Sequence, residues 1–336
     1  MLTTVQAEST LSTHGLSAIR DLVANDFTAV NALITARLVS NVPLINEIAR
    51  HIIHSGGKRL RPLLALLSAK AFQYEGQDHL TLAAVIEFIH TATLLHDDVV
   101  DSSKLRRGKF TANAIWGNQA SVLVGDFLYS RAFQLLTDMD QPRIMAVLAE
   151  TTNTIAEGEV LQLMNCRNVN ATQEDYFRVI HCKTAKLFEA AAHIGAIIAD
   201  AAAAQTEAIA RYGLHLGLAF QLVDDILDYS ADVSELGKNI GDDLAEGKPT
   251  LPLIYAMRYG SLAQADIIRK AIENGGLENL AAITDIIADT QALTYVRQLA
   301  EDQAQLAINA IVTTLPPLPY RDGLINLAKF AVERHS

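Results

Sequence analysis

The chain has 336 residues, 50% of them hydrophobic and 19% charged, with 27 Lys and Arg against 38 Asp and Glu for a formal net charge of −11. That balance excludes a general nucleic-acid binder, which needs a basic face, and a disordered chain, which lacks the apolar surface for a core. Gly at 18 residues and Pro at 8 are sparse, and the chain is rich in Ala and Leu, so long helices are favoured over many short strands and the fold class is all-α.

Residues 1–14 read as frayed. Helices are then expected at about Ser17–Leu38, Ile45–Ile53 (stopping at Gly56-Gly57), Arg61–Phe72 with Pro62 in its first turn, and Leu80–Lys104. They continue at about Ala114–Leu136, Arg143–Leu163, Thr172–Ala199, Gln205–Tyr229, Gly276–Thr313 and Tyr320–Arg334. No alternating Val/Ile/Thr run demands a sheet. The most apolar stretch, Ala190 to Ala204, is interrupted by His193 and Asp200 and reads as a buried helix rather than a membrane span. No composition break marks a linker, so residues 1–336 read as one domain. Cys166 and Cys182 lie too far apart for a CxxC motif, and Met1 to Leu16 is polar with Glu8 inside it, so no disulfide framework or secretory leader is expected and the chain reads as cytoplasmic.

Three loops carry unusual chemistry. Gly56-Gly57-Lys58-Arg59 is a basic glycine turn, and Ser102–Asn113 is polar and basic. Ser230–Thr250 mixes Gly237, Gly241, Gly247 and Pro249 with Lys238, Asp242, Asp243 and Lys248.

The sharpest feature is Asp97-Asp98-Val99-Val100-Asp101, at the end of an apolar helical stretch. Four residues is about one turn, so Asp97 and Asp101 share a face. Asp224-Asp225-Ile226-Leu227-Asp228 repeats the spacing at the end of a second apolar helix. Carboxylates near a helix C-terminus oppose the macrodipole, at a cost of a few tenths of a kcal/mol to about 1 kcal/mol each. A solvated acidic helix end could explain one such cluster; two in the same pattern argue for a ligand. Oxygen-only donors suit Mg²⁺, which takes one or two carboxylates together with water and substrate phosphate oxygens.

Basic residues stand beside these clusters. Lys58, Arg59 and Arg61 lie at the glycine turn, Arg106 and Arg107 follow the first Asp cluster, Lys183 and Thr184 lie in a later helix, and Lys238 and Lys248 follow the second cluster. Arg recognises phosphate through a planar fork and Lys as a compact charge. The pattern fits two polyanionic substrates, one held by metals on the aspartates and the other by Arg and Lys.

The chain resembles the trans-isoprenyl diphosphate synthases, or polyprenyl synthetases, from Gly56 to the C-terminal helix. The resemblance rests on Gly56-Gly57-Lys58-Arg59-Leu60-Arg61-Pro62, Leu94-Leu95-His96-Asp97-Asp98-Val99-Val100-Asp101, Arg106-Arg107-Gly108, Gly125-Asp126-Phe127-Leu128 and Lys183-Thr184-Ala185. It continues through Phe220-Gln221-Leu222-Val223-Asp224-Asp225-Ile226-Leu227-Asp228 and Gly241-Asp242-Asp243-Leu244-Ala245-Glu246-Gly247-Lys248-Pro249-Thr250. It implies an isoprenoid synthase fold, a helical bundle around a deep central cavity, usually a homodimer. The implied reaction is head-to-tail prenyl transfer from an allylic diphosphate to isopentenyl diphosphate, with the departing diphosphate as base.

Carried over by motif, Asp97, Asp98, Asp101, Asp224, Asp225 and Lys183 would be catalytic, with Mg²⁺ on Asp97, Asp101, Asp224 and Asp228 and about three ions per loaded site. Isopentenyl diphosphate would meet Lys58, Arg61, His90 and Arg107. The allylic diphosphate would meet Arg106, Lys183, Thr184, Gln221 and Lys238. Asp242 and Asp243 are left outside the metal set. Nucleic acid and a membrane span are not expected, though product release implies transient membrane contact.

In this family the residues just before the first Asp cluster face the growing product. Ala92 and Thr93 are small there, so the cavity is expected to continue to a floor at Phe133 and to give a product of about octaprenyl length, destined for a quinone side chain. A farnesyl or geranylgeranyl synthase is the shorter-chain alternative. Glu87-x-x-His90 also suggests a dinuclear metal oxidase bundle, but no second Glu-x-x-His occurs. His96-Asp97 suggests a metal phosphohydrolase, which leaves the second cluster unexplained. A non-catalytic subunit of a heteromeric synthase would usually lack the aspartates.

Overall fold

A computed structural model describes residues 15–53, 56–230, 241–275 and 277–334. Lys238 and the segment 1–14 therefore fall outside the described residues. The chain is helical from residue 15, turns at residues 22–23, and continues as α1 (Ala24–Arg37), so the first expected helix is broken near its middle. Next come α2 (Pro43–Ile53), α3 (Leu60–Ala71) and α4 (Asp78–Val100).

Between α4 and α5 (Ala112–Trp116) the chain forms a small hairpin, β1 (Leu105–Arg106) antiparallel to β2 (Lys109–Phe110), with Arg106 opposite Lys109. Its turn is Arg107-Gly108, with φ of 53° and 72°. Two successive positive φ values match the twist of paired strands, and the glycine accepts its value without strain. The expected helix over Ala114–Leu136 is divided at Gly117 into α5 and α6 (Asn118–Asp138), and α7 (Pro142–Asn165) follows.

The expected Thr172–Ala199 helix is three pieces. A capping box between Thr172 and Asp175 starts α8 (Gln173–Ile180), a π-helical turn spans His181–Ala185, and α9 (Lys186–Ile198) continues from it. The π-turn carries Lys183 and Thr184, and such turns are frequent at functional sites. The long α10 (Ala203–Ser230) ends in the second Asp cluster.

After α11 (Asp242–Ala245), two helices stand where none was read from sequence: α12 (Leu251–Tyr259), with Pro252 in its first turn, and α13 (Leu262–Asn274), started by a Ser261–Gln264 capping box. The expected Gly276–Thr313 helix divides into α14 (Leu280–Asp289) and α15 (Ala292–Val312), separated at Gln291 with φ 58°. α16 (Pro319–Glu333) closes the described chain.

The largest apolar cluster joins α3, α4, α6 and α9 and holds Leu63, Leu67, Ile86, Phe88, Ile89 and Phe188. A second links α10 to α12 and α15 through Leu222, Val223, Leu251 and Val296, and a third lies among α12, α13 and α14. Burying these side chains, at about 1.5–3 kcal/mol each relative to exposure, is what holds the site-bearing ends of α4 and α10 in place. Of the stretch Ala190–Ala204, only the part in α9 is a buried helix, with Ala190, Ala191, Ala192 and Ile194 at most 1% exposed; the chain turns after Ile198, and Ala202, Ala203 and Ala204 are exposed. Among the described residues no helix is long and apolar enough to cross a membrane.

Candidate active site

The ends of α4, α7 and α10, the π-turn, the glycine turn and the loop into α12 surround a cavity of about 840 Å³. Asp97, Asp101, Asp224, Asp225 and Asp228 all line it, as do Lys58, Arg61, His90, Arg106, Arg107, Lys183, Thr184 and Gln221. Helical periodicity explains the first cluster: Asp97 and Asp101 face the cavity together, while Asp98 is turned into the protein with 0% exposure.

Asp98 anchors the hairpin. Arg106 donates from Nε at 2.9 Å and from a terminal nitrogen at 2.8 Å to the Asp98 Oδ1 atom. Asn113 Nδ2 donates to the Asp98 carbonyl at 2.9 Å. This holds Arg106 at the cavity wall, one reason the second aspartate of the motif must be an acid.

The second cluster divides the same way. Asp225 is buried, accepting from Tyr176 Oη at 2.6 Å and Gln221 Nε2 at 2.8 Å; burial, with Asp243 nearby, pushes its carboxyl up to about 8. Gln221 in turn accepts from Thr184 Oγ1 at 3.0 Å. Thr184, Gln221, Asp225 and Tyr176 thus form one chain of hydrogen bonds in the cavity wall, tying the π-turn to α10.

Lys183 reaches between the two helices. Its Nζ is 2.6 Å from Glu159 Oε2 and 3.7 Å from Asp97 Oδ2. Burial alone would lower its pKa, but Asp97 and Glu159 outweigh this and hold it above the ordinary value. Burial, reinforced by Asp97, pushes Glu159 up to about 7. Burial also raises Asp97, with Lys183 opposing. Lys248 joins the first Asp cluster to the loop beyond the second, with Nζ 3.0 Å from Asp101 Oδ2, 4.0 Å from Asp243 Oδ1 and in closer contact with Glu246. Asp243, Asp101 and Glu246 outweigh burial and raise its pKa.

The opposite wall is cationic. The Arg61 guanidinium stands 4.2 Å from the Phe188 ring centroid and donates to His90 Nε2 at 3.3 Å. Burial lowers Arg61 to about 10 and Lys58 to about 8, the latter helped by repulsion from Arg334. Burial and the neighbouring Arg61, Arg107 and Arg106 push His90 well below its ordinary value, so it is a neutral acceptor for Arg61. Arg107 donates to the Gly56 carbonyl, which closes the glycine turn over the hairpin.

Several lining residues were not singled out from sequence. Arg334, just past α16, donates to the Phe220 carbonyl at 2.6 Å, lies 3.8 Å over the Phe220 ring and pairs with Asp224 Oδ1 at 2.6 Å. Glu159 carries no motif signal that composition or spacing could expose. Glu87 lines the cavity beside Arg59, at 3.7 Å. With Glu87 against Arg59 and His90 against Arg61, the Glu-x-x-His pair does not serve a dinuclear metal centre. His96 faces away from the cavity, toward Asp126 at 3.4 Å and the Val122 carbonyl at 3.2 Å, which removes the basis for a phosphohydrolase.

Of the three residues expected to set product length, Thr93 lines the cavity, with Oγ1 donating to the His90 carbonyl at 2.7 Å. Ala92 is 0% exposed and Phe133, on α6, packs against the main core; neither is among the cavity-lining residues. The reason is angular: Thr93 and Leu94 lie one turn below Asp97, whereas a residue five positions back is rotated by about 140°. Ile155, Val179, Ile180 and Leu187 supply the apolar wall beyond the carboxylates.

Among the described residues, no three His, Cys, Asp or Glu groups are close enough to enclose a metal ion by themselves. The carboxylates facing the cavity are hard oxygen donors in two pairs, Asp97 with Asp101 and Asp224 with Asp228. Such a set fits Mg²⁺ ions whose remaining positions are filled by water and a diphosphate.

The polyprenyl synthetase family profile matches residues 42–289. The chain is 53% identical over 320 residues to the octaprenyl diphosphate synthase of Escherichia coli strain K12, covering 95% of this chain and 99% of that one. It is 46% identical over 313 residues to the all-trans-nonaprenyl-diphosphate synthase (geranyl-diphosphate specific) of Rhodobacter capsulatus, covering 93% and 96%. Its fold matches the crystal structure of a polyprenyl synthase from Caulobacter crescentus CB15, complexed with calcium and isoprenyl diphosphate, with a TM-score of 0.92 and 44% identity over 96% of this chain and 98% of that one. A cavity with paired carboxylates facing a cationic wall, on a helical scaffold shared with these proteins, makes the chain a member of the polyprenyl synthetase family.

Proposed function

We propose that the chain is an all-trans long-chain polyprenyl diphosphate synthase, a prenyltransferase that extends an allylic diphosphate, farnesyl diphosphate by preference, with isopentenyl diphosphate to about octaprenyl length. The observation that carries this reading is one cavity lined both by the two Asp clusters and by Lys58, Arg61, Arg107 and Lys183, which provides for two diphosphates at once. The relatives named octaprenyl and nonaprenyl diphosphate synthases support the long product.

In the reaction the allylic C–O bond breaks and diphosphate leaves with the electron pair. The double bond of isopentenyl diphosphate then attacks the carbocation, and a proton is lost to the departing diphosphate. Asp97, Asp101, Asp224 and Asp228 would hold about three Mg²⁺ ions, which when bound neutralise charge on the leaving oxygen. Lys183, Arg106, Thr184 and Gln221, with Lys238, would contact the allylic diphosphate, and Lys248 would add positive charge beside Asp101. Lys58, Arg61, His90 and Arg107 would hold isopentenyl diphosphate, with Arg61 fixed by His90 and Phe188. Cationic donors aimed at the leaving diphosphate lower the barrier because charge develops there in the transition state. The apolar wall of Ile155, Val179, Ile180 and Leu187 would exclude water from the carbocation.

A single domain acting as a cytoplasmic homodimer, with transient membrane contact for product release and quinone side chains as the destination, completes the proposal. Its surface support is exposed apolar side chains on α6 and α7, Leu123 at 67%, Leu163 at 62% and Met164 at 72%, which a second copy would cover. The test is incubation of the purified protein with Mg²⁺, farnesyl diphosphate and radiolabelled isopentenyl diphosphate, followed by reverse-phase sizing. Chain extension to about octaprenyl length is expected; phosphate release without extension would contradict the reading.

A further inference from the structure

The Lys183 ammonium has two carboxylates within reach, and the nearer is not the one in the Asp cluster. Nζ donates to Glu159 Oε2 at 2.6 Å, while Asp97 Oδ2 stands 3.7 Å away. Glu159 is placed by its neighbour. A Cβ on Gly158 would meet the Lys183 backbone nitrogen at 2.7 Å and Cys182 Cβ at 2.8 Å, so α7 touches the π-turn backbone to backbone at this point. Separations this short leave no room for a side chain, which fixes the height of the π-turn against α7. The same turn is tied on its other side through Thr184 to Gln221. With the backbone clamped from both sides, the ammonium can move by little more than its own rotamers, between Glu159 and Asp97.

We propose that Glu159 is a positioning residue that parks Lys183 off Asp97, leaving that carboxylate open to the metal and diphosphate while keeping the ammonium beside them. This rests on the synthase reading of the cavity. Without Glu159, Asp97 is the remaining carboxylate partner of Lys183 among the described residues, and shortening their 3.7 Å ion pair to hydrogen-bonding distance sets the ammonium in direct competition with a divalent cation for the same oxygen. Glu159 therefore acts chiefly through Lys183, and its effect is expected to shrink several-fold once Lys183 is gone.

The test is a double-mutant cycle on the full chain with Glu159→Ala, Lys183→Ala and the double variant, and Glu159→Gln as the conservative partner. Two quantities are read: the calorimetric Kd for inorganic pyrophosphate at fixed Mg²⁺, and the Mg²⁺ concentration that gives half-maximal elongation. Glu159→Ala is expected to raise both by about tenfold, and Glu159→Gln, which keeps an acceptor for Lys183, by about threefold, with both effects reduced to about twofold or less in the Lys183→Ala background. Equal effects in the two backgrounds, or no effect of Glu159→Ala on a folded protein, would overturn the proposal. Glu159→Gln carries the cycle should thermal melts show that Glu159→Ala does not fold. Failure of the wild-type chain to elongate would instead overturn the synthase reading, and the calorimetric cycle would still decide the role of Glu159.

Discussion

Lys58 stands at the cationic wall with its pKa lowered to about 8 by burial and by Arg334. The sign follows directly: below that pH the ammonium is charged and attracts a diphosphate, and above it the charge is lost. Loss of Lys58 charge is expected to lower kcat/KM for isopentenyl diphosphate as pH rises through about 8, while Lys58→Arg holds it flat to higher pH; steady-state profiles of the two proteins check this. Asp98 is the other instructive single residue. Because it holds Arg106 through two donors, Asp98→Ala is expected to raise KM for the allylic diphosphate and to lower stability by about 3–5 kcal/mol, the cost of leaving a buried ion pair half-made. Asp101→Ala instead removes a cavity-facing carboxylate and is expected to cut kcat by 10²-fold or more, on the order of losing one charge-stabilising group, with little change in melting temperature. The motif spelling alone does not distinguish these aspartates. The rotation of α4 does, and it is legible as soon as the helix is assumed.

At the scale of elements, what the sequence disclosed depended on periodicity. α4 and α10 were readable because long apolar runs at helical spacing lead straight into the Asp clusters. The π-turn over His181–Ala185 was not, since one extra residue in a turn leaves no repeating signature, and the expected helix ran straight through it. α12 and α13 were absorbed into loop and unassigned chain between Gly247 and Gly276, although the Ser261–Gln264 cap marks a helix start once noticed. Pairings across the chain were illegible for another reason: Lys248 and Asp101 are 147 residues apart, and Arg334 reaches Phe220 over 114. Thr93→Phe is expected to shorten the product, because Thr93 lines the cavity. Ala92→Phe, at a wholly buried position off the cavity wall, is expected to destabilise by about 1–3 kcal/mol through overpacking before it alters product length. Product sizing and thermal melts of the two variants separate these effects.

For the whole molecule, the acidic balance of −11 acquires a partial cause. Six of the acids stand in the two Asp clusters, and five of them line the cavity where metal and diphosphate charge would balance them. The cations that matter are few, some paired with the aspartates (Lys183, Lys248, Arg334) and others set around the glycine turn (Lys58, Arg61, Arg107), so net charge alone describes the site poorly. The exposed apolar side chains on α6 and α7 would be covered in a dimer: a dimer is expected by light scattering, and Leu163→Glu with Met164→Glu is expected to shift it toward monomer.

If the cavity holds two diphosphates for chain extension, incubating the intact protein with Mg²⁺, farnesyl diphosphate and radiolabelled isopentenyl diphosphate and sizing the products gives a product of about octaprenyl length that disappears when Mg²⁺ is chelated. Label that remains in isopentenyl diphosphate, or extension that persists without a divalent cation, would contradict it.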